Sequence, residues 1–324
     1  MPVLLVSSLR PLVGKTAISV GMAQRLGPHV HRLGLARLAT AERDEAAGAD
    51  ARCFDSLALS AEKKGQPLSL EEVAELAKET SSSDGVLIVE LPAGFPPSEA
   101  IRAVGGVAVL VERSAELNAS KVGALQKEIG QDFVGLALTA VPSARATAIA
   151  GTLAQKGIPI LALLPEDRLL SAPSIGEMAQ ALEAETLFAD GRTEEVIERV
   201  TIASISADPG QDYFARFDRQ AVVVRYDKPD LQLAALNADS RCLILSGGQM
   251  PLAYVSDRAE EEGVPLLITG EDTVTAVQAL EALYLKSRFG HQKAKRIGQL
   301  AAAHLDYDSL LQALGLRQKG QSGR

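Results

Sequence analysis

Val3-Leu4-Leu5-Val6-Ser7-Ser8-Leu9-Arg10-Pro11-Leu12-Val13-Gly14-Lys15-Thr16 decides the fold of the N-terminal half. Val3–Val6 reads as a buried strand, Ser7–Val13 as a loop, and Thr16–Leu26 as a helix. Each part has a physical job. The strand fixes the loop. Gly14 has no Cβ, so backbone N–H groups can close around phosphate oxygens. The helix N-terminus adds unpaired N–H donors and the positive end of its dipole. Lys15 would reach the β- and γ-phosphates and the Thr16 hydroxyl would hold Mg²⁺, with Val13 and Ala17 beside them. The stretch points to ATP, or another nucleoside triphosphate, with Mg²⁺. One departure stands out: Leu9 occupies the position five before Gly14 where such loops carry a first glycine. A loop that only supports the fold is the alternative.

Outward from this stretch, apolar runs alternate with helical patterns. Strands are expected at Leu33–Ala36, Val86–Val89, Val107–Val111, Val134–Leu138 and Ile158–Leu163. Helices are expected at Leu70–Lys78, with Ser69 as its cap, at Ala119–Glu128 and at Ala144–Lys156. Continuous apolar strands separated by helices predict an α/β fold, a mainly parallel sheet covered on both faces. The pattern weakens after Leu187. Gly191–Thr193 reads as a turn before a polar helix at Glu194–Val200, and Asp208-Pro209-Gly210 is a second turn signal. A smaller α/β series follows. Its strands are Ala221–Val224, Cys242–Leu245 and Pro265–Ile268; its helices are Pro229–Asn237, Leu252–Glu262 and Thr273–Lys286. Helical stretches at Lys293–Ala303 and Tyr307–Leu314 close the series. The expected partition is 1–188, 189–316 and a disordered tail, 317–324.

Composition narrows the function. The chain has 324 residues, 47% hydrophobic and 23% charged, enough for two domains with real cores. Aromatic residues are 4%, Trp is absent, and the net charge is −8. Base stacking and phosphate-backbone attraction are both poorly served, so nucleic acid is not an expected partner. Cys53 and Cys242 are far apart and read as buried apolar thiols. His29 and His31 lie by a Gly-Pro turn and read as solvated; no two of the four histidines form a zinc frame or a nucleophile–base pair. No signal-peptide pattern and no membrane-length apolar run is present, so a cytoplasmic protein is expected.

Ser8–Thr16 resembles the loop of dethiobiotin synthetases, G-T-x-T-x-V-G-K-T, and matches it at Val13-Gly14-Lys15-Thr16. Gly34-Leu35-Ala36-Arg37 is similar to that family's Gly-x-x-Lys strand end, Asp50-Ala51 to its metal-side Asp-Ala, and Val86–Gly94 to its strand ending in Glu-Gly-Ala-Gly. The resemblance implies metal-side roles for Thr16, Asp50 and Glu90, and places Thr139 where relatives carry a base-reading Asn. An acid ending a strand beside the loop can hold Mg²⁺ or its water. Asp50 reads equally well as a helix-start acid. Ser8 for Gly and Arg37 for Lys depart from the family.

Ile158–Ser174 resembles the N-terminal region of long phosphate acetyltransferases, where a synthetase-like domain precedes a DRTGG domain. Val222–Leu231 is similar to the Gly-Asp-Arg-x-Asp turn of that domain, and Cys242–Gly248 to its Thr-Gly-Gly. The name motif is altered to Tyr226-Asp227-Lys228, and Ser246 replaces Thr. Gly247-Gly248 after a strand could cradle an anion in backbone N–H groups, with Asp227, Ser246 and Asp272 at a ligand's hydroxyls. A bare turn, and a helix cap at Asp272, are the structural alternatives. The acetyltransferase catalytic domain that would follow in the long enzymes is not expected here.

These readings favour a nucleotide-binding regulatory protein, a homodimer with a possible acyltransferase partner. The alternatives are an ATP-dependent carboxylate-activating ligase of the dethiobiotin or cobyrinate-amidating type, and a scaffold with a degenerate loop.

Overall fold

The apolar runs of the N-terminal half form one six-stranded, all-parallel sheet in the spatial order Arg32–Arg37 (β2), Gly85–Glu90 (β3), Val3–Ser7 (β1), Val107–Arg113 (β4), Phe133–Val141 (β5) and Ile160–Pro165 (β6). The computed structural model describes residues 2–39, 45–61, 65–79, 85–203 and 213–316. In chain order this unit runs β1 (Val3–Ser7), α1 (Lys15–Leu26), β2 (Arg32–Arg37), α2 (Glu45–Ser56), α3 (Leu70–Glu79), β3 (Gly85–Glu90), α4 (Pro97–Val104), β4 (Val107–Arg113), α5 (Ala119–Ile129), β5 (Phe133–Val141), α6 (Ala146–Gln155) and β6 (Ile160–Pro165). Strand residues two apart share a face. Val3, Leu5, Leu87, Val89 and Leu110 therefore pack on one side, with Val73 of α3, Ala100 of α4, Val122 of α5 and Leu153 of α6. The Ser69 cap holds: its hydroxyl accepts from Glu72 N–H while the Glu72 carboxylate accepts from Ser69 N–H.

The second unit is Arg168–Arg288, comprising α7 (Arg168–Ser171), α8 (Ile175–Ala181), β7 (Glu185–Leu187), β8 (Arg199–Ile202), β9 (Gln220–Arg225), α9 (Pro229–Asn237), β10 (Cys242–Ser246), α10 (Ala253–Glu262), β11 (Leu266–Thr269) and α11 (Thr273–Leu283). Its five strands lie in the order β7-β11-β10-β9-β8, with β7 antiparallel and the others parallel. The period-2 split is clean. Val222, Val224, Leu243 and Leu245 face α9 and α10; Ala221, Val223, Cys242 and Ile244 face α8 and α11.

The chain then returns to the first unit with α12 (Ala294–His304) and α13 (Tyr307–Ala313). The division thus differs from 1–188 and 189–316 at both boundaries. At the first, Ser174 and Glu177 form a capping box that starts α8, whose Ile175 and Met178 enter the core of the second sheet. At the second, α12 buries Ile297 and Ala301 against α1: a Cβ on Gly21 would lie 3.1 Å from both side chains. The Asp306 N–H also donates to Leu161 O, at 2.8 Å.

The polar helix expected at Glu194–Val200 does not form. Ile175 N–H donates to Glu195 O and Ile197 N–H to Pro173 O, an extended pairing that leads into β8. The Asp208-Pro209-Gly210 turn and the 317–324 tail lie outside the described residues. No described helix is long and apolar enough to cross a membrane.

Candidate functional site

β1 lies between β3 and β4, so the chain leaves it in one direction toward β2 and later crosses it to reach β4. Loops part at such a reversal, and ligands of open parallel sheets bind there, outside the carboxyl ends of the strands. The Ser8–Gly14 loop occupies this place. Gly14 is the N-cap of α1 in the left-handed conformation, φ +90° and ψ +26°, and offers no side chain to the first-turn amides of Lys15, Thr16 and Ala17. A Cβ at Gly14 would sit 3.2 Å from the Thr139 methyl.

Three strands hold the loop. From the β3 side, Gly94 N–H donates to Ser8 O at 2.8 Å. From β4, the Glu112 carboxylate accepts from Leu9 N–H at 2.7 Å. From β5, the Thr139 hydroxyl donates to Val13 O at 2.7 Å. Thr139, placed by sequence at a nucleotide base, therefore spends its only proton on the loop backbone. The Ser8 hydroxyl, standing where similar loops have glycine, donates to Arg10 O and accepts from Lys15 Nζ, each at 2.7 Å.

The expected metal-side residues come together. Thr16 Oγ1 lies 3.1 Å from Asp50 Oδ1 and 3.2 Å from Glu90 Oε2. Arg37 reaches both residues: Nη1 donates to the main-chain carbonyl of Glu90 at 3.2 Å, and Nε is 3.4 Å from the Asp50 carboxylate oxygen Oδ2. Glu90 is fully buried, and its Oε1 makes no hydrogen bond of ordinary geometry. Burial first, then the Asp50 carboxylate, push the Glu90 carboxyl up to about 7, against Arg37, Lys15 and the Ser19 hydroxyl. Burial pulls the Lys15 ammonium down, partly offset by Glu90. The Thr16 hydroxyl has one proton to donate between two carboxylates; a Glu90 protonated near neutrality can donate back. This hard, all-oxygen set fits Mg²⁺, which is held by few protein ligands and completes its shell with water and phosphate. Among the described residues no cluster of three His, Cys, Asp or Glu exists for an all-protein cage.

Glu112 escaped the sequence reading. The signal was present, since it ends the apolar run Val107–Val111 as Glu90 ends Val86–Val89.

In the second unit the suggested residues are neighbours, but most of their groups are engaged. Gly247, at φ +100°, donates its N–H to Glu271 O, and Gly248, at φ +71°, donates to Thr269 O, both at 2.9 Å. An anion cradle built from these two amides is thereby corrected: both donors serve the adjoining turn. Ser246 Oγ lies 2.8 Å from Thr273 Oγ1. Asp272 caps α11, accepting from Thr275 N–H at 2.8 Å, and that bond holds its carboxyl below the usual range. Asp227 pairs with Arg225 at 2.7 Å on the surface. Both cysteines are buried thiols, and burial pushes Cys242 up to about 12. His29, expected in solvent, packs against the Tyr307 ring at 5.3 Å between centroids.

Comparison with known proteins finds partial similarities and one family match that falls within the second unit. A phosphate acetyltransferase of Nitratidesulfovibrio vulgaris strain Hildenborough is 27% identical over 134 residues, covering 38% of this chain and 19% of that enzyme. The match thus spans about a fifth of the relative's length. Among solved structures, the CBS and DRTGG domains of the regulatory region of Clostridium perfringens pyrophosphatase, complexed with the activator diadenosine tetraphosphate, align with a TM-score of 0.32 and 17% identity. That alignment covers 48% of this chain and 76% of the other. The DRTGG domain family matches residues 177–283, nearly the whole of the second unit, and this chain therefore carries a DRTGG domain.

Proposed function

We propose that the chain is a nucleotide-binding regulatory protein. In this reading ATP or a related nucleoside triphosphate, with Mg²⁺, binds at the Ser8–Thr16 loop, and the DRTGG domain passes the ligand state to a partner. The observation that carries the nucleotide half is the convergence of Thr16, Asp50 and Glu90 beside Lys15, at the reversal of the parallel sheet. Val13, Gly14 and Ala17 would line the phosphates and Thr139 would hold the loop. The DRTGG domain and the partial similarity to a phosphate acetyltransferase support the regulatory half. A homodimer, an acyltransferase partner and a cytoplasmic location belong to the same proposal. In the second unit, Asp227 and Ser246, beside the Gly247-Gly248 turn, would contact a second ligand.

Titration calorimetry with ATP and Mg²⁺ tests the first half. Binding by the wild type, lost in Lys15→Ala, is the expected result. A wild-type chain that binds no nucleotide overturns the reading. A second reading, the carboxylate-activating ligase, is favoured by the same two acids, because a metal-bound triphosphate attacked by a substrate carboxylate needs them. Phosphate release that depends on an added carboxylate would select it.

A further inference from the structure

Two donor groups that a triphosphate would need are already engaged by the chain's own oxygens. Leu9 N–H, inside the loop, donates to Glu112 Oε1 at 2.7 Å. Lys15 Nζ donates to Ser8 Oγ at 2.7 Å. Glu112 is 1% exposed, at the end of a central strand next to β1, so it cannot swing freely into solvent. A buried carboxylate is costly unless it is hydrogen-bonded and balanced by positive charge. Here the loop amide supplies the hydrogen bond, and Lys15 and Arg10 act on it as the balancing cations. Arg10 is itself drawn back to Glu116, by an Nη1–Oε2 contact of 3.0 Å.

The chemistry of the contact is that of an anion on a phosphate loop. A carboxylate oxygen and a phosphate oxygen ask the same thing of a backbone N–H, and both are attracted by the same lysine. Both cannot be accommodated side by side, since two anions a few ångströms apart repel. We infer that Glu112 is a built-in competitor for the phosphate loop, a fixed acidic residue that holds the loop closed on itself until a nucleoside triphosphate draws the loop amide away from it. This rests on the proposal that the loop binds nucleotide, and adds to it that affinity is set down by an internal group. The substitution of Ser8 for glycine works in the same direction, because its hydroxyl gives Lys15 an alternative partner.

The inference makes an unusual demand: removing a buried charged residue from the site must strengthen binding. Glu112→Gln keeps the shape and removes the charge; Glu112→Ala removes both the charge and the acceptor. Each is titrated with Mg–ATP and with Mg–triphosphate, which lacks a base, beside the wild type and Lys15→Ala. Circular dichroism confirms that each variant is folded. Both Glu112 variants are expected to bind at least about tenfold tighter than wild type, the scale of one hydrogen bond to a charged group. The gain should appear with inorganic triphosphate too, because the competition is for phosphate oxygens. Wild-type binding with equal or weaker binding by both variants overturns the inference and leaves the nucleotide proposal intact; Glu112 would then be a structural brace or a ligand contact. Binding by the variants alone supports an effectively closed loop and overturns nucleotide binding by the wild type. No binding by any form overturns both.

Discussion

The turn after β1 and the turn after β10 both sit at the carboxyl end of an inner parallel strand, yet the first leads into a helix that starts on a glycine with no capping side chain, and the second spends both of its glycine amides on the adjoining turn. The difference begins in topology. In the first sheet β1 is flanked by β3 and β4, so the crossovers run in opposite directions and their loops separate. In the second sheet β8, β9, β10 and β11 lie side by side in chain order, and adjacent turns can bond to each other. They do: the β11–α11 turn takes both amides of Gly247-Gly248. Capping follows the same division. α1 starts on a left-handed glycine with no capping side chain, whereas α11 is closed by Asp272. A glycine-rich turn is thus a candidate anion site only where the fold leaves its amides unspent.

Exchanging the glycines for alanine is the sharpest way to break this comparison. Gly14→Ala places a Cβ against Thr139 at a φ of +90°. It should weaken Mg–ATP binding on the order of a hundredfold, by moving several charge-assisted donors at once. Gly247→Ala places a Cβ 2.6 Å from the Tyr226 ring at a φ of +100°. That strain should cost about 2 kcal/mol of stability, read by urea unfolding, and leave nucleotide affinity unchanged. Nucleotide affinity that falls with Gly247→Ala would show that the second turn is part of the binding apparatus.

The buried acid of the first site gives a prediction in pH. The Glu90 carboxyl titrates near 7 in the folded chain and near its ordinary 4.5 when unfolded. Between these values the native chain holds a proton that the unfolded chain has released, so this group's contribution to stability falls as pH rises. Its cost is complete above about pH 7. Without nucleotide, and with EDTA present, Glu90→Gln should be more stable than wild type at about pH 8, by at most on the order of 3 kcal/mol. The advantage should disappear toward about pH 4, where both side chains are neutral. A pH-independent difference between the two proteins would mean that Arg37 and Lys15 already compensate the charge.

Much of this architecture was legible because it is local. Val3–Val6, Val86–Val89 and Cys242–Leu245 are buried apolar runs, and the helices between them begin where Ser69 and Asp272 can cap. Lys15, Thr16 and Glu90 were legible as candidates because each begins or ends an element at the sheet's carboxyl edge; Asp50, also read as a helix-start acid, lies in the middle of α2 and was legible only through the Asp-Ala resemblance. What stayed hidden depends on residues far apart in the chain. No local pattern around Lys293–Ala303 says that it packs on α1, since its apolar stripe would suit either sheet equally well. Glu194–Val200 was misread because its partner is the backbone of Pro173–Ile175. Glu112 could have been singled out as a strand-end acid, but its bond to Leu9 spans 103 residues and required the sheet order.

Asp272 offers the finest test, because a cap and a ligand contact use the same carboxylate. As a cap it stabilises α11 by accepting from Thr275 N–H and by placing a negative charge at the helix start. Asp272→Ala should then lower stability, read by urea unfolding, and Asp272→Asn or Asp272→Ser should recover most of that loss, since both side chains cap helices well. A residue that binds a ligand through its charge would behave differently: Asn and Ser would restore stability without restoring binding of that ligand. Stability recovered in both variants, with the response to nucleotide unchanged throughout, leaves Asp272 a helix cap. A response to nucleotide lost in all three variants would instead make the start of α11 part of a binding surface in the DRTGG domain, and the contrast between the two turns would narrow to the amides of Gly247 and Gly248.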